Sequence, residues 1–271
     1  MRIRCALGSL LFLLAELTGP SPALQAQQQE SLAAVKSKLA AATADNPPDL
    51  SKADLSGLDL SGVDFKRANL TGARLVGTKL RGANLFTADL TDAVLTDADL
   101  RKANLDGSVL RRANFQRANL AGASLFATII ESADLAHANL SGTRIIGYLR
   151  GAKLGGADLR HANAGADPGN QSMGVMRATF VSADLTGADL SDANLFKADF
   201  SHANLTNAKL VRANLQNADL IQTDLTRSDL TGAKLAKANI DEAIFTQAVG
   251  VDQIQGLDQA RNKDKANFDA R

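Results

Sequence analysis

The chain has 271 residues and is 45% hydrophobic but only 4% aromatic, with ten Phe, one Tyr, three Met and no Trp. That stock of Ala and Leu lacks the mixed large shapes that fill a wide globular interior, so it predicts a narrow core lined by the same small and medium groups many times over. A formal charge of +1 excludes the strong field that nucleic acid or an anionic membrane surface would require, and a single cysteine excludes a disulfide framework.

At the N-terminus Arg2 and Arg4 precede a short apolar run from Ala6 to Leu14, which Glu16 ends, and small residues follow at Ser21, Ala23 and Ala26. Residues 1–26 read as a secretory signal peptide, cleaved after Ala23 or Ala26, because a membrane-spanning helix needs ~20 apolar residues. The mature chain is then expected in the periplasm or outside the cell, without an integral membrane segment. Cys5 would leave with the leader. Losing Arg2, Arg4 and Glu16 takes 30 basic and 29 acidic residues to 28 of each, so the mature chain is formally neutral.

Residues 27–50 hold "SLAAVKSKLAAA" from Ser31 to Ala42, Ala-rich with apolar residues at helical spacing, and Asn46-Pro47-Pro48 stops it. This predicts an N-terminal helical cap, a reading that outweighs a partner-binding one.

Residues 51–164 carry the dominant pattern. From Leu55 to Ile145 an apolar residue returns at every fifth position, and it does so again from Phe180 to Phe245. The expected core includes Leu55, Leu70, Leu85, Leu100, Leu120, Leu140, Leu185, Leu205, Leu220 and Leu235. A small residue, usually Ala, lies two positions before each, with Asp or Asn between. In an α-helix a five-residue step would carry the leucines around the cylinder, and in a strand it would send alternate leucines to opposite faces. A three-residue extended piece with Ala in, Asp or Asn out and Leu in, followed by a two-residue bend, satisfies the period. Four such pieces close a square of 20 residues, and squares stacked at ~4.8 Å give about nine coils and a rod on the order of 40 Å long. Pairs such as Ser61-Gly62 and Thr71-Gly72 suit the bends, where glycine takes positive φ.

More than thirty A-(D/N)-L-x-x units, from about Leu50 to Ala248, resemble the pentapeptide repeat family. The resemblance implies an all-β fold, a right-handed quadrilateral β-helix. It also implies a runner-up function, because cytoplasmic members mimic DNA and bind type II topoisomerases. That mechanism needs a strongly negative rod resident with DNA, and a neutral chain behind a leader meets neither requirement. Some members dimerise through their C-terminal ends, so the resemblance leaves a homodimer open.

The lattice breaks once. From Ile145 the next apolar step falls at Leu149, one residue short, and after Ala164 the phase returns at Phe180. Residues 165–177, with Gly165, Pro168, Gly169 and Gly174, are expected to loop out of the rod, before a second repeat tract over 178–248. The loop could carry function through the adaptable Met173 and Met176, or be an insertion folded on the rod's side. Stacking places Phe126 and Ile146 in one bend column, and Val109, Ile129 and Tyr148 in the outward column beside it, where Asp or Asn is usual. These seven residues form the candidate partner contact; scattered surface apolars are the equal alternative. Residues 249–271 place Ile254, Leu257 and Ala260 at helical spacing before "KANF", which predicts a C-terminal helical cap.

For catalysis the residues offer no constellation. His137, His161 and His202 fall at bends and do not converge, no nucleophile has a base partner, and no phosphate-cradling glycine loop occurs. A basic cluster of Arg101, Lys102, Arg111 and Arg112 reads as a solvated face before it reads as an anion site. The expectation is a non-catalytic exported scaffold or interaction module of the cell envelope, with no catalytic residues, metal or cofactor, an unidentified protein partner, and no nucleic acid.

Overall fold

A computed structural model describes residues 32–43, 45–166 and 176–269. The leader at 1–26 and Met173 lie outside the described residues.

The backbone forms a solenoid held by parallel pairing between successive coils. Asp49 pairs with Asn69, Asp54 with Arg74, Asp59 with Lys79 and Asp64 with Asn84, and these four ladders define four sides. One ladder runs from Asp49 through Asn69, Asp89, Val109, Ile129, Tyr148, Thr179, Asp199, Asp219 and Asn239 to Arg261. Each unit spends its main-chain groups the same way. Around Leu75, the Arg74 N–H donates to the Ala53 carbonyl at 2.9 Å and the Leu75 N–H to the Val94 carbonyl at 2.7 Å. The Gly77 N–H then donates to the bend carbonyl of Thr96, one coil on, at 2.9 Å, and the Thr78 N–H closes the bend onto the Leu75 carbonyl at 3.2 Å. Among the described residues the sides are paired with the coils on either side, which leaves open edges at the end coils.

The core is the expected double file. Leu55, Leu70, Leu85, Leu100, Leu120 and Leu140, and in the second tract Leu185, Leu205, Leu220 and Leu235, are buried, with an alanine file beside them. Thr78, Ser108, Thr128, Thr143, Thr223 and Ser228 replace alanine and are also buried. Five of these hydroxyls find carbonyls: Thr143 Oγ1, for instance, donates to the Leu140 carbonyl at 2.6 Å, and Thr223 to that of Phe200 at 2.8 Å. Ser228 Oγ has no partner. Phe180 and Phe200, one coil apart, stack with centroids 4.7 Å apart.

The second bend residue is left-handed throughout, and glycine is not the rule there. Among the described residues, twenty-five non-glycine residues have positive φ against 14 glycines, at a cost on the order of 1 kcal/mol for each side chain. The outward Asp or Asn offsets part of this cost, because its Oδ1 accepts the N–H of the first bend residue two positions on. Asp89 does so for Thr91 at 2.9 Å and Asn119 for Ala121 at 3.1 Å. This local bond explains the residue preference between Ala and Leu, which exposure alone does not.

The N-terminal segment is helical over 32–40 (α1). Val35 is buried in the solenoid core, with Leu32 and Leu39 packed against it, and Lys38 Nζ donates to the Asp49 carbonyl at 3.1 Å. The C-terminal segment corrects the expectation of a helical cap. Three single-turn 3₁₀ elements, Val251–Gln253, Leu257–Gln259 and Lys263–Lys265, alternate with ladder rungs at Gln255, Arg261 and Asn267. The chain keeps coiling with six residues per side. Spacing of three between Ile254, Leu257 and Ala260 fits a 3₁₀ turn as well as an α-helix, and Gly250 and Gly256 at φ 72° and 73° break the segment into single turns. Phe268 stacks on Phe245 at 4.7 Å, beside a hollow of about 520 Å³ at the end of the rod.

Candidate functional site

The lattice break lies beside the outward ladder of Val109, Ile129 and Tyr148. Here the pairing is long enough to make two true strands, Ser124–Ile129 (β1) and Arg144–Tyr148 (β2), paired in parallel. Opposite Ala127 and Thr128 of β1 stands Gly147 of β2 alone, so the missing residue appears as a bulge. Gly147 is the residue that permits it: a Cβ there would collide with the Thr128 carbonyl oxygen.

Val109, Ile129 and Tyr148 occupy one outward ladder, in register. Val109 and Ile129 are half-buried, and Tyr148 is 53% exposed. Phe126 lies beside them, half-buried, with the Arg144 guanidinium 4.0 Å from its ring centroid. Asp106 Oδ1 accepts from the Phe126 N–H at 2.9 Å and from Ser124 Oγ at 2.5 Å. Ile146 is a correction. It pairs with Phe126 as expected but is 1% exposed within β2, where Ile145, Ile146 and Gly147 are all buried, so it offers no free surface. Met176 is half-buried at the return of the 165–177 segment. The sequence analysis did not identify the aromatic–cation contact of Arg144: coil stacking brings the two residues near one another, but the placement of the guanidinium over the ring is a matter of side-chain conformation.

Charges elsewhere are arranged in pairs. Arg74 and Lys79 face Asp54 and Asp59 one coil earlier, each at 3.7 Å. Of the basic cluster, Arg101 binds Asp99 at 2.6 Å, Arg111 binds Glu131 at 3.1 Å and Arg112 binds Asp92 at 2.7 Å. Hydrogen bonds from the arginines hold Asp92 and Asp99 below the usual carboxylate range. The cluster is thus largely neutralised, and water screens each exposed pair enough that none adds much stability. His137, His161 and His202 are exposed at left-handed bends. Among the described residues no group of three or more His, Cys, Asp or Glu could hold a metal ion, and no helix is long and apolar enough to cross a membrane.

A family model of pentapeptide repeats matches in eight copies, over residues 49–85, 88–125, 176–210 and 208–247. The chain belongs to the pentapeptide repeat family. The family's right-handed β-helix solenoid is therefore the architecture of the coils described above. HetL, a pentapeptide repeat protein involved in heterocyst differentiation regulation in the cyanobacterium Nostoc sp. strain PCC 7120, is 30% identical, and the likeness covers 80% of this chain and 92% of HetL with a TM-score of 0.59. A pentapeptide repeat protein of the Arabidopsis thaliana thylakoid lumen is 36% identical over 41% of this chain and 63% of its own, with a TM-score of 0.31. QnrB1, a plasmid-mediated fluoroquinolone resistance protein, is 18% identical over 75% of this chain and 89% of its own, at a TM-score of 0.28, and at that level the likeness says nothing of this chain's role. No curated protein sequence matches the chain.

Proposed function

We propose that this chain is a non-catalytic, exported pentapeptide-repeat rod that serves as a scaffold or protein-interaction module in the cell envelope. The observation that carries the reading is the ladder Val109, Ile129 and Tyr148. On neighbouring rungs the same position holds Asp89 and Thr179, so the outward side changes from polar to apolar over three coils beside the lattice break. Contiguous exposed apolar area of this kind marks interaction sites. The leader pattern at residues 1–26 supports export, and α1 and the six-residue coil at the other end support a rod of about nine pentapeptide coils with a cap at each terminus. The DNA-mimic reading draws no support from the surface, where arginines cover Asp92, Asp97 and Asp192.

Cell fractionation of a C-terminally tagged copy, with the mass of the purified protein, tests the reading. A periplasmic or secreted protein beginning near Leu24 or Gln27 is the expected result. A cytoplasmic protein beginning at Met1 would overturn export and make a gyrase supercoiling assay the next step.

A further inference from the structure

In three bend columns an aspartate and an arginine face each other one coil apart. Asp92 precedes Arg112, Asp97 precedes Arg117 and Asp192 precedes Arg212, each 20 residues apart and joined by paired hydrogen bonds. Another column carries two lysines and no acid beside them. Lys197, Asn217 and Lys237 follow one another at left-handed bends, with an amide between the two lysines, and among the described residues neither lysine has a carboxylate partner.

Two arginines flank the column. Arg177 Nη2 donates to Asp199 Oδ2 at 3.0 Å and Nη1 to Asp219 Oδ2 at 2.7 Å. Arg261, from the C-terminal coil, donates from Nε to the Lys237 carbonyl at 3.2 Å and from Nη2 to Asp219 Oδ1 at 3.4 Å. The two carboxylates are thus occupied by arginine, while four cations against two acids leave an excess of two positive charges. Arg177, Lys197, Asn217, Asp219, Lys237 and Arg261 line a groove of about 490 Å³, a size suited to a small ligand.

From this arrangement we infer that the groove is a binding site for a soluble small molecule bearing a diphosphate-like dianion. The two lysines supply mobile point charges from bends two coil spacings, about 10 Å, apart. The Asn217 amide offers a neutral donor between them. The arginines hold the wall rigid and screen Asp219 from the ligand. The site is independent of where the protein resides.

The variant that isolates the idea is Asn217→Asp, which sets a carboxylate between the two lysines at a bend geometry aspartate already adopts at Asp92, Asp97 and Asp192. Isothermal titration of the full chain with inorganic pyrophosphate at low ionic strength should show saturable one-site binding. Asn217→Asp and Lys237→Gln should each weaken it at least tenfold, while Lys79→Gln, on another side of the rod, leaves it unchanged. Absence of saturable binding in the wild-type chain, or equal affinity in all variants, would overturn the proposal.

Discussion

Phe126 and Ile146 are partners across one parallel pair, yet Phe126 is half-exposed under the Arg144 guanidinium and Ile146 is buried within β2. Two residues paired across the lattice break therefore differ in exposure. Ile146→Ala should therefore cost about 2–4 kcal/mol through the cavity it leaves, while Tyr148→Ser, on a 53% exposed side chain, should stay within about 0.5 kcal/mol. Urea denaturation of the two variants measures both; equal losses would contradict the burial assigned to Ile146.

The bulge makes a second contrast. Gly62 has φ 67° and open space where a Cβ would go, whereas a Cβ on Gly147 would meet Thr128 backbone. Gly62→Ala should cost about 1 kcal/mol from conformation alone. Gly147→Ala should cost clearly more, because the β1–β2 pairing must open to admit the methyl group. Hydrogen exchange should then locate the loss at residues 124–148, and a uniform effect along the rod would argue against a local clash.

Outward Asp and Asn side chains act as local bend caps in this structure. Asn119→Ala removes the acceptor of the Ala121 N–H without touching the core, and the expected loss is about 1 kcal/mol. Asn119→Asp keeps an acceptor and should retain most of the stability. If Ala and Asp variants unfold at the same urea concentration, the side-chain bond contributes nothing.

Acid should loosen the rod through its paired carboxylates. Asp158 is held below the usual carboxylate range chiefly by the hydrogen bond from Arg160, with Arg160 Nη2 2.7 Å from Asp158 Oδ2. Its folded pKa lies below the unfolded value of about 3.9, so its contribution is complete above that value and is lost as pH falls through the lowered one. Asp92, Asp97 and Asp192 shift the same way, each chiefly through its arginine. Thermal midpoints should be flat from about pH 7 to about 5 and fall below about 4, and the fall should be smaller in Asp158→Asn. A midpoint that rises on acidification would contradict the stabilising role of these carboxylates.

The five-residue return of Leu55 to Ile145, with Ala two positions before it, was enough by itself to determine the solenoid, its inward file and the place of its single slip. No other backbone path puts a period of five on one side of a wall. The spacing did not reveal the bend chemistry, because the Asn119 to Ala121 hydrogen bond depends on a left-handed residue that composition does not mark. Nor did it reveal the burial of Ile146, because a bend position one residue short of the period has no counterpart in the repeat to compare it with. At the C-terminus, apolar steps of three fit an α-helix and a six-residue coil equally, and only pairing of Gln255, Arg261 and Asn267 with the coil below decided between them. The column of Lys197 and Lys237 follows from the 20-residue coil, but its closure by Arg177 and by Arg261 of the six-residue coil belongs to tertiary structure. Electrostatic neighbours in a coil are 20 residues apart, and they meet only when the chain comes round.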